Sequence, residues 1–168
     1  KTPEGRQIIN KLDWYGRLIE EKTAGLEPIS YSYDGKGRLT GVSRGNQQQT
    51  YTWDDMNRII ALEDAAGDKF HYEYNGADLL TKLTMPGGQS YAFGYDANGN
   101  VTAITMPSGA THQLDYTAVD LPLSYTPPAN ASYQKIYNRD RAVTQSTLPG
   151  ERSVDYQYDS QGRITGMQ

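Results

Sequence analysis

Asp96-Ala-Asn98-Gly-Asn100 carries the alternating oxygens that open a calcium loop. Such loops also need a glycine at the sixth place for the sharp turn and a bidentate glutamate at the twelfth. Val101 and Pro107 stand there instead. The reading left is an aspartate whose side chain accepts hydrogen bonds from its own turn. It serves equally for Asp34 and Asp54, whose corners lack the alternating oxygens. The chain has 2 histidines, His71 and His112, and no cysteine. With no Gly-x-Ser-x-Gly elbow either, nucleophilic triads have few parts to start from. The 20 acidic residues leave a glycosidase-type carboxylate pair open by counting alone. Most of them fall where turns recur, so the expectation is no catalytic residue, no metal and no cofactor.

Arg17, Arg38, Arg58 and Arg163 each lie four residues after a turn aspartate. As a row they offer a site for a polyanion; singly, each can pair with an acid across its own corner. The second reading is preferred, because 20 acids face 16 bases. Exposed pairs of this kind contribute about 0–1 kcal/mol each. A net charge of −4 gives no basic field for nucleic acid.

These residues recur because the text around them recurs. Tyr31-Ser-Tyr33-Asp34-Gly-Lys-Gly37-Arg38-Leu39-Thr40-Gly-Val42 is echoed at Tyr51-Thr-Trp53-Asp54, Tyr72-Glu-Tyr74-Asn75, Phe93-Gly-Tyr95-Asp96-Ala-Asn-Gly99 and Tyr156-Gln-Tyr158-Asp159-Ser-Gln-Gly162-Arg163. The residue after the last ring serves as a marker, at positions 13, 34, 54, 75, 96, 117, 138 and 159. Successive spacings are 21, 20, 21, 21, 21, 21 and 21, a register chance does not keep. The missing residue falls in the polar stretch Gly45-Asn-Gln-Gln-Gln49. A turn loses a residue without changing which face later side chains occupy, whereas a strand interior does not.

The repeat specifies short antiparallel strands. Alongside the Asp-x-x-Gly corner, each unit from Asp64 onward has a second turn about eleven residues later, as at Ala65-Ala-Gly67, Met85-Pro86-Gly-Gly88 and Met106-Pro107-Ser-Gly109. Strands entering a corner alternate strictly: Phe70, Tyr72 and Tyr74 share one face and His71 and Glu73 the other. By the same column rule His112 belongs with the rings. Outgoing strands such as Arg58-Ile-Ile-Ala-Leu62 have apolar residues of both parities, implying a bulge or cover on both faces. Each unit is one β-hairpin, and eight of them make a meander of about fifteen or sixteen strands, all-β, spanning residues 1–168 as one array. Rings alternate with aliphatics such as Val42, Leu62, Leu83 and Ile104. A sheet this wide must twist and curl.

Composition agrees with a half-dry sheet: 14 Tyr and 2 Trp stand against 2 Phe, rings with a polar tip. No apolar run approaches the roughly 18 residues of a membrane helix, and no signal-peptide pattern opens the chain. The pattern runs to both ends, so the chain reads as a segment of a longer array whose targeting signals lie outside it.

The Tyr-x-Tyr-Asp-x-x-Gly-Arg-Leu-Thr-x-Val text at residues 31–42, echoed from Tyr156, resembles the YD repeat of the bacterial Rhs family, which is similar to repeats of insecticidal toxin-complex proteins and animal teneurins. The resemblance covers essentially the whole chain, most clearly in five units and least at Asp13, Thr117 and Asn138. It implies a β-strip that spirals into a hollow shell around a passenger, commonly a C-terminal toxin, in a secreted or cell-surface bacterial protein. Members usually end the shell with an Asp-Pro-x-Gly self-cleavage segment, and no Asp-Pro occurs here. The resemblance thus transfers the wall and not the protease or the toxin. The partners expected are neighbouring repeats and the enclosed passenger, with edge-to-edge association of an isolated segment through its open strand edges. The alternative is a carbohydrate-binding or adhesion repeat, in which the Tyr and Trp columns stack on sugar rings. Buried rings would remove that surface.

Overall fold

An oxygen-bearing side chain at each marker, followed three residues later by one that accepts positive φ, builds a three-residue hairpin loop closed by a bulge. The computed structural model describes residues 7–150 and 152–168, so the start of the first unit lies outside the described residues. The loop is present at all eight markers. Asp34 donates its N–H to the Arg38 carbonyl and Gly37 donates back to Asp34, both at 3.0 Å, and the other seven corners repeat the pair. The third residue after the marker has positive φ each time: Gly16, Gly37, Asn57, Asp78, Gly99, Asp120, Arg141 and Gly162.

The described strands fall into two compact units. The first holds β1 (Ile8–Leu12), β2 (Leu18–Thr23), β3 (Ile29–Tyr33), β4 (Leu39–Arg44), β5 (Gln47–Trp53), β6 (Ile59–Glu63) and β7 (Lys69–Tyr74) as far as Glu73. β8 (Leu80–Thr84) has residues in both units. The second unit holds β9 (Ser90–Tyr95), β10 (Val101–Thr105), β11 (Thr111–Tyr116), β12 (Pro122–Thr126), β13 (Tyr133–Tyr137), β14 (Val143–Leu148), β15 (Arg152–Tyr158) and β16 (Ile164–Met167). Within each unit the strands lie in sequence order and pair antiparallel, and the described residues contain no helix.

Seven corners shift the register by one residue. Leu39 faces Tyr33 but Val42, three residues on, faces Tyr31; Ile59 and Leu62 face Trp53 and Tyr51 in the same way. Val101 and Ile104 face Tyr95 and Phe93. The bulge thus brings apolar residues of opposite parity onto the ring face, which explains the mixed pattern of the outgoing strands. Every residue of β6, β8 and β10 is half-buried and none fully buried, so the bulge accounts for the mixed pattern without a covering layer. The incoming strands β3 and β7 keep strict alternation: in β7, Phe70, Tyr72 and Tyr74 are half-buried while Lys69, His71 and Glu73 are exposed.

Two details differ from the sequence expectation. The second turn already exists in the early units, where Leu26 donates to the Thr23 carbonyl at 3.0 Å and Gly45-Asn46 links β4 to β5. The shortened unit loses its residue there, in a two-residue turn that leaves Arg44 facing Gln47. Gln47, Gln48 and Gln49 are therefore strand, paired with β4, because a tight turn lets pairing begin at once. Among the described residues no large side chain is fully buried. The rings make a half-dry face rather than a closed core.

Candidate functional site

The corner begins with one carboxylate used three ways. Asp34 Oδ1 accepts from the Lys36 and Arg38 amides, both at 2.9 Å, and Oδ2 accepts from Arg38 Nε at 2.7 Å. Asp13, Asp54 and Asp159 hold Arg17, Arg58 and Arg163 the same way. Asn75, Thr117 and Asn138 keep the amide-accepting oxygen. A short side chain with one acceptor is thus the minimum requirement, and where a second carboxylate oxygen is available the fourth residue, an arginine or Asn100, donates to it. Each arginine is bound through Nε within its own corner, although the Arg163 side chain stays 72% exposed.

These contacts hold the corner carboxyls below the usual aspartate range. For Asp34, Asp54 and Asp159 the main cause is the backbone amide of the arginine four residues on. For Asp96 it is the Asn100 side-chain amide. At Asp13 burial is the largest single influence and pushes the other way, but the bonds from Arg17 and Tyr15 together outweigh it. The Asp96-Asn98-Asn100 motif uses its oxygens in the same manner: Oδ1 accepts from the Asn98 and Asn100 amides at 2.9 Å and Oδ2 from Asn100 Nδ2 at 3.0 Å. Among the described residues no three His, Cys, Asp or Glu side chains converge on a common point.

The last ring before five of the corners has a second task that the sequence pattern did not reveal. Between hairpins the ladder stops short of the corner: β2 and β3 pair only at Glu20↔Ser30 and Glu21↔Ile29. The Leu18 carbonyl lies beyond the last rung with β3, and Tyr33 Oη donates to it at 2.8 Å. Tyr95 does the same to Leu80, Tyr137 to Pro122 and Tyr158 to Val143, at 2.7, 2.6 and 2.8 Å. Trp53 substitutes its indole Nε1, donating to Leu39 at 2.7 Å. An unpaired carbonyl withdrawn from water is costly, so this column takes rings with a donor at the tip. The signal was in the composition: both phenylalanines, Phe70 and Phe93, fall in other columns.

Corners are also tied to each other. Arg38 donates through Nη1 to the Asp54 carbonyl and lies over the Trp53 ring, 5.6 Å from its centroid. Arg17 lies 4.7 Å from the Tyr33 centroid. His112 sits on the ring face as its column requires, stacked on Tyr125 with centroids 5.8 Å apart and Nδ1 2.7 Å from the Tyr125 hydroxyl. Tyr125 in turn stacks on Tyr133 at 5.9 Å. Tyr31, Tyr51, Tyr72, Phe93 and Tyr156 occupy the inner ring columns, all half-buried. In the stacked group the faces a sugar would need are turned towards one another.

A family model described as Teneurin YD-shell matches residues 6–167. The chain belongs to that family. The same fold also appears among solved structures. A crystal structure of TcdB2-TccC3-Cdc42 superposes with a TM-score of 0.66 at 14% identity, over 95% of this chain and 10% of that one. TcdB2-TccC3 without its hypervariable C-terminal region gives 0.66 at 16% identity, over the same shares of 95% and 10%. A Tc holotoxin pore from Photorhabdus luminescens gives 0.59 at 13%, over 98% of this chain and 12% of that one. At such identities the likeness concerns the fold, and this YD-shell chain spans about a tenth of those proteins' length. None of the curated proteins matches it. Among the described residues no helix is long and apolar enough to cross a membrane.

Proposed function

We propose that this chain is non-catalytic wall: a stretch of YD shell that encloses a C-terminal passenger, a toxin or other cargo delivered to other cells, in a secreted or surface-displayed bacterial protein. All 168 residues form one array of eight hairpin units, with the corner aspartates, glycines and arginines and the paired rings as its structural repeat. The observation that supports this best is the uncovered ring face. A sheet with an apolar, half-buried side and no large, fully buried side chain among the described residues is built as a boundary. The hypervariable C-terminal region of the solved TcdB2-TccC3 relative is consistent with the place a passenger would hold.

The test uses the full-length protein. Deleting one whole unit, residues 75–95, keeps every later strand on its face and in its direction, so partial protection of the passenger from added protease should survive. Deleting residues 86–95 alone removes about half a unit, reverses strand direction downstream, and should expose the passenger. Equal protection in both variants would mean that this segment is not the wall.

A further inference from the structure

Glycine is the natural residue for the positive-φ place in each corner, yet Asn57 and Asp120 hold it at 65° and 62°. Asparagine and aspartate tolerate that conformation better than most residues, so tolerance alone would suffice for their presence. Their side chains, however, make a connection that glycine lacks. Arg38 Nη1, from the corner of Asp34, donates to Asn57 Oδ1 at 3.0 Å. In the second compact unit, Asn98 Nδ2 and Asn100 Nδ2, from the corner of Asp96, both donate to Asp120 Oδ1, at 2.8 and 2.7 Å. The donors differ, a guanidinium in one case and two amides in the other, but the connection is the same. A residue in the left-handed place receives a bond from the fourth residue of the corner before it. An ionised carboxylate only accepts, so both amides must turn their nitrogens towards Asp120.

We infer that Asn57 and Asp120 are corner clasps: positioning residues that fix each corner to the preceding one, in the place where the turn alone would be better served by glycine. The need lies in the ladder. Between β10 and β11 the pairs end at Ala103↔Gln113, and between β4 and β5 at Gly41↔Thr50. Beyond those rungs the corners are joined through side chains. The clasp ties adjacent corners where the ladder no longer does. Nothing in this inference depends on what the wall encloses.

Arg141 supplies the internal control. It too has positive φ, 65°, and among the described residues its side chain has no hydrogen bond to the corner before it. The experiment is backbone hydrogen exchange by mass spectrometry on the full-length protein carrying D120G, D120N or R141G. D120G should speed exchange several-fold in the amides of β10 and β11. D120N, which keeps an accepting oxygen, should stay within about twofold of the parent. R141G should leave β12 and β13 unchanged or slower, because glycine relieves the backbone. If D120G behaves as R141G does, the clasp is refuted and tolerance is the whole explanation. Should D120G fail to fold, N57G reads the same question on β4 and β5: faster exchange there, restored by N57D, supports the clasp, and unchanged exchange overturns it.

Discussion

The two rims of the meander are joined by different means. At the corner rim the backbone ladder between hairpins stops early, and side chains complete the connection: Tyr33 on the Leu18 carbonyl, Trp53 on the Leu39 carbonyl, Asn100 on Asp120. At the opposite rim the ladder runs to the turn at several junctions, as at Leu148↔Arg152 and Arg44↔Gln47. The turns there need little more than a backbone bond, such as Gly109 to Met106 at 2.9 Å. Where backbone does the joining, many residues suffice. Where side chains do it, donor and acceptor must stand at fixed places, and that is why the repeating text is concentrated on one rim.

The largest effect should come from removing a ring at the corner rim. Tyr95→Ala should cost about 2 kcal/mol in chemical denaturation, because the ring is half-buried and its bond to Leu80 is lost with it. Gln113→Ala, exposed on the opposite face, should stay within about 0.5 kcal/mol. A sharper comparison keeps both rings. Tyr95→Phe deletes only the hydroxyl that serves Leu80 and should cost about 1 kcal/mol, whereas Tyr91→Phe, in an inner column, should fall within about 0.3 kcal/mol. Equal losses would mean that the latch column is not special.

At the other rim Pro107→Ala should cost only about 0.5 kcal/mol, the chain-entropy contribution of a proline in a compatible turn. The effect of pH is spread over the corners. Asp13, Asp34, Asp54, Asp96 and Asp159 have carboxyl pKa values below the ordinary 3.8. A depressed folded pKa contributes stability that is complete above the unfolded value and is lost as pH falls through the folded one. The thermal midpoint should therefore stay level in its carboxylate contribution down to about pH 5 and decline below about pH 4. Replacing Asp34 by Asn should flatten part of that decline, measured by circular dichroism melts across the series.

Much of this rim was legible in the sequence because each requirement recurs as text. Period-2 rings announced the incoming strands, and Asp-x-x-Gly announced a corner even where Asn75 or Thr117 replaced the acid, since the spacing of 21 held. The outgoing strands were harder to read. Val101 and Ile104 share a face only because a bulge lies between them, and an apolar pair three apart has no unique strand interpretation until the partner strand is placed. The phenol bonds were hidden for a similar reason: Tyr33 and Leu18 are fifteen residues apart and meet only through pairing. The early second turns lacked the Pro-Gly punctuation of later units: a backbone bond from Leu26 to Thr23 closes the first, and the Arg44↔Gln47 rung flanks Gly45-Asn46.

Trp53 and Trp14, the 2 tryptophans of the chain, stand in opposite surroundings. Trp14 is 96% exposed at the tip of a corner, while the Trp53 indole is half-buried and donates to Leu39. The molecule thus carries its own pair of fluorophores, one already in water and one seated in a seam. Removing Trp14 leaves emission that reports a single junction, that between β4 and β5. A red shift as that junction parts would let its opening be timed apart from unfolding of the strands themselves, with no label attached.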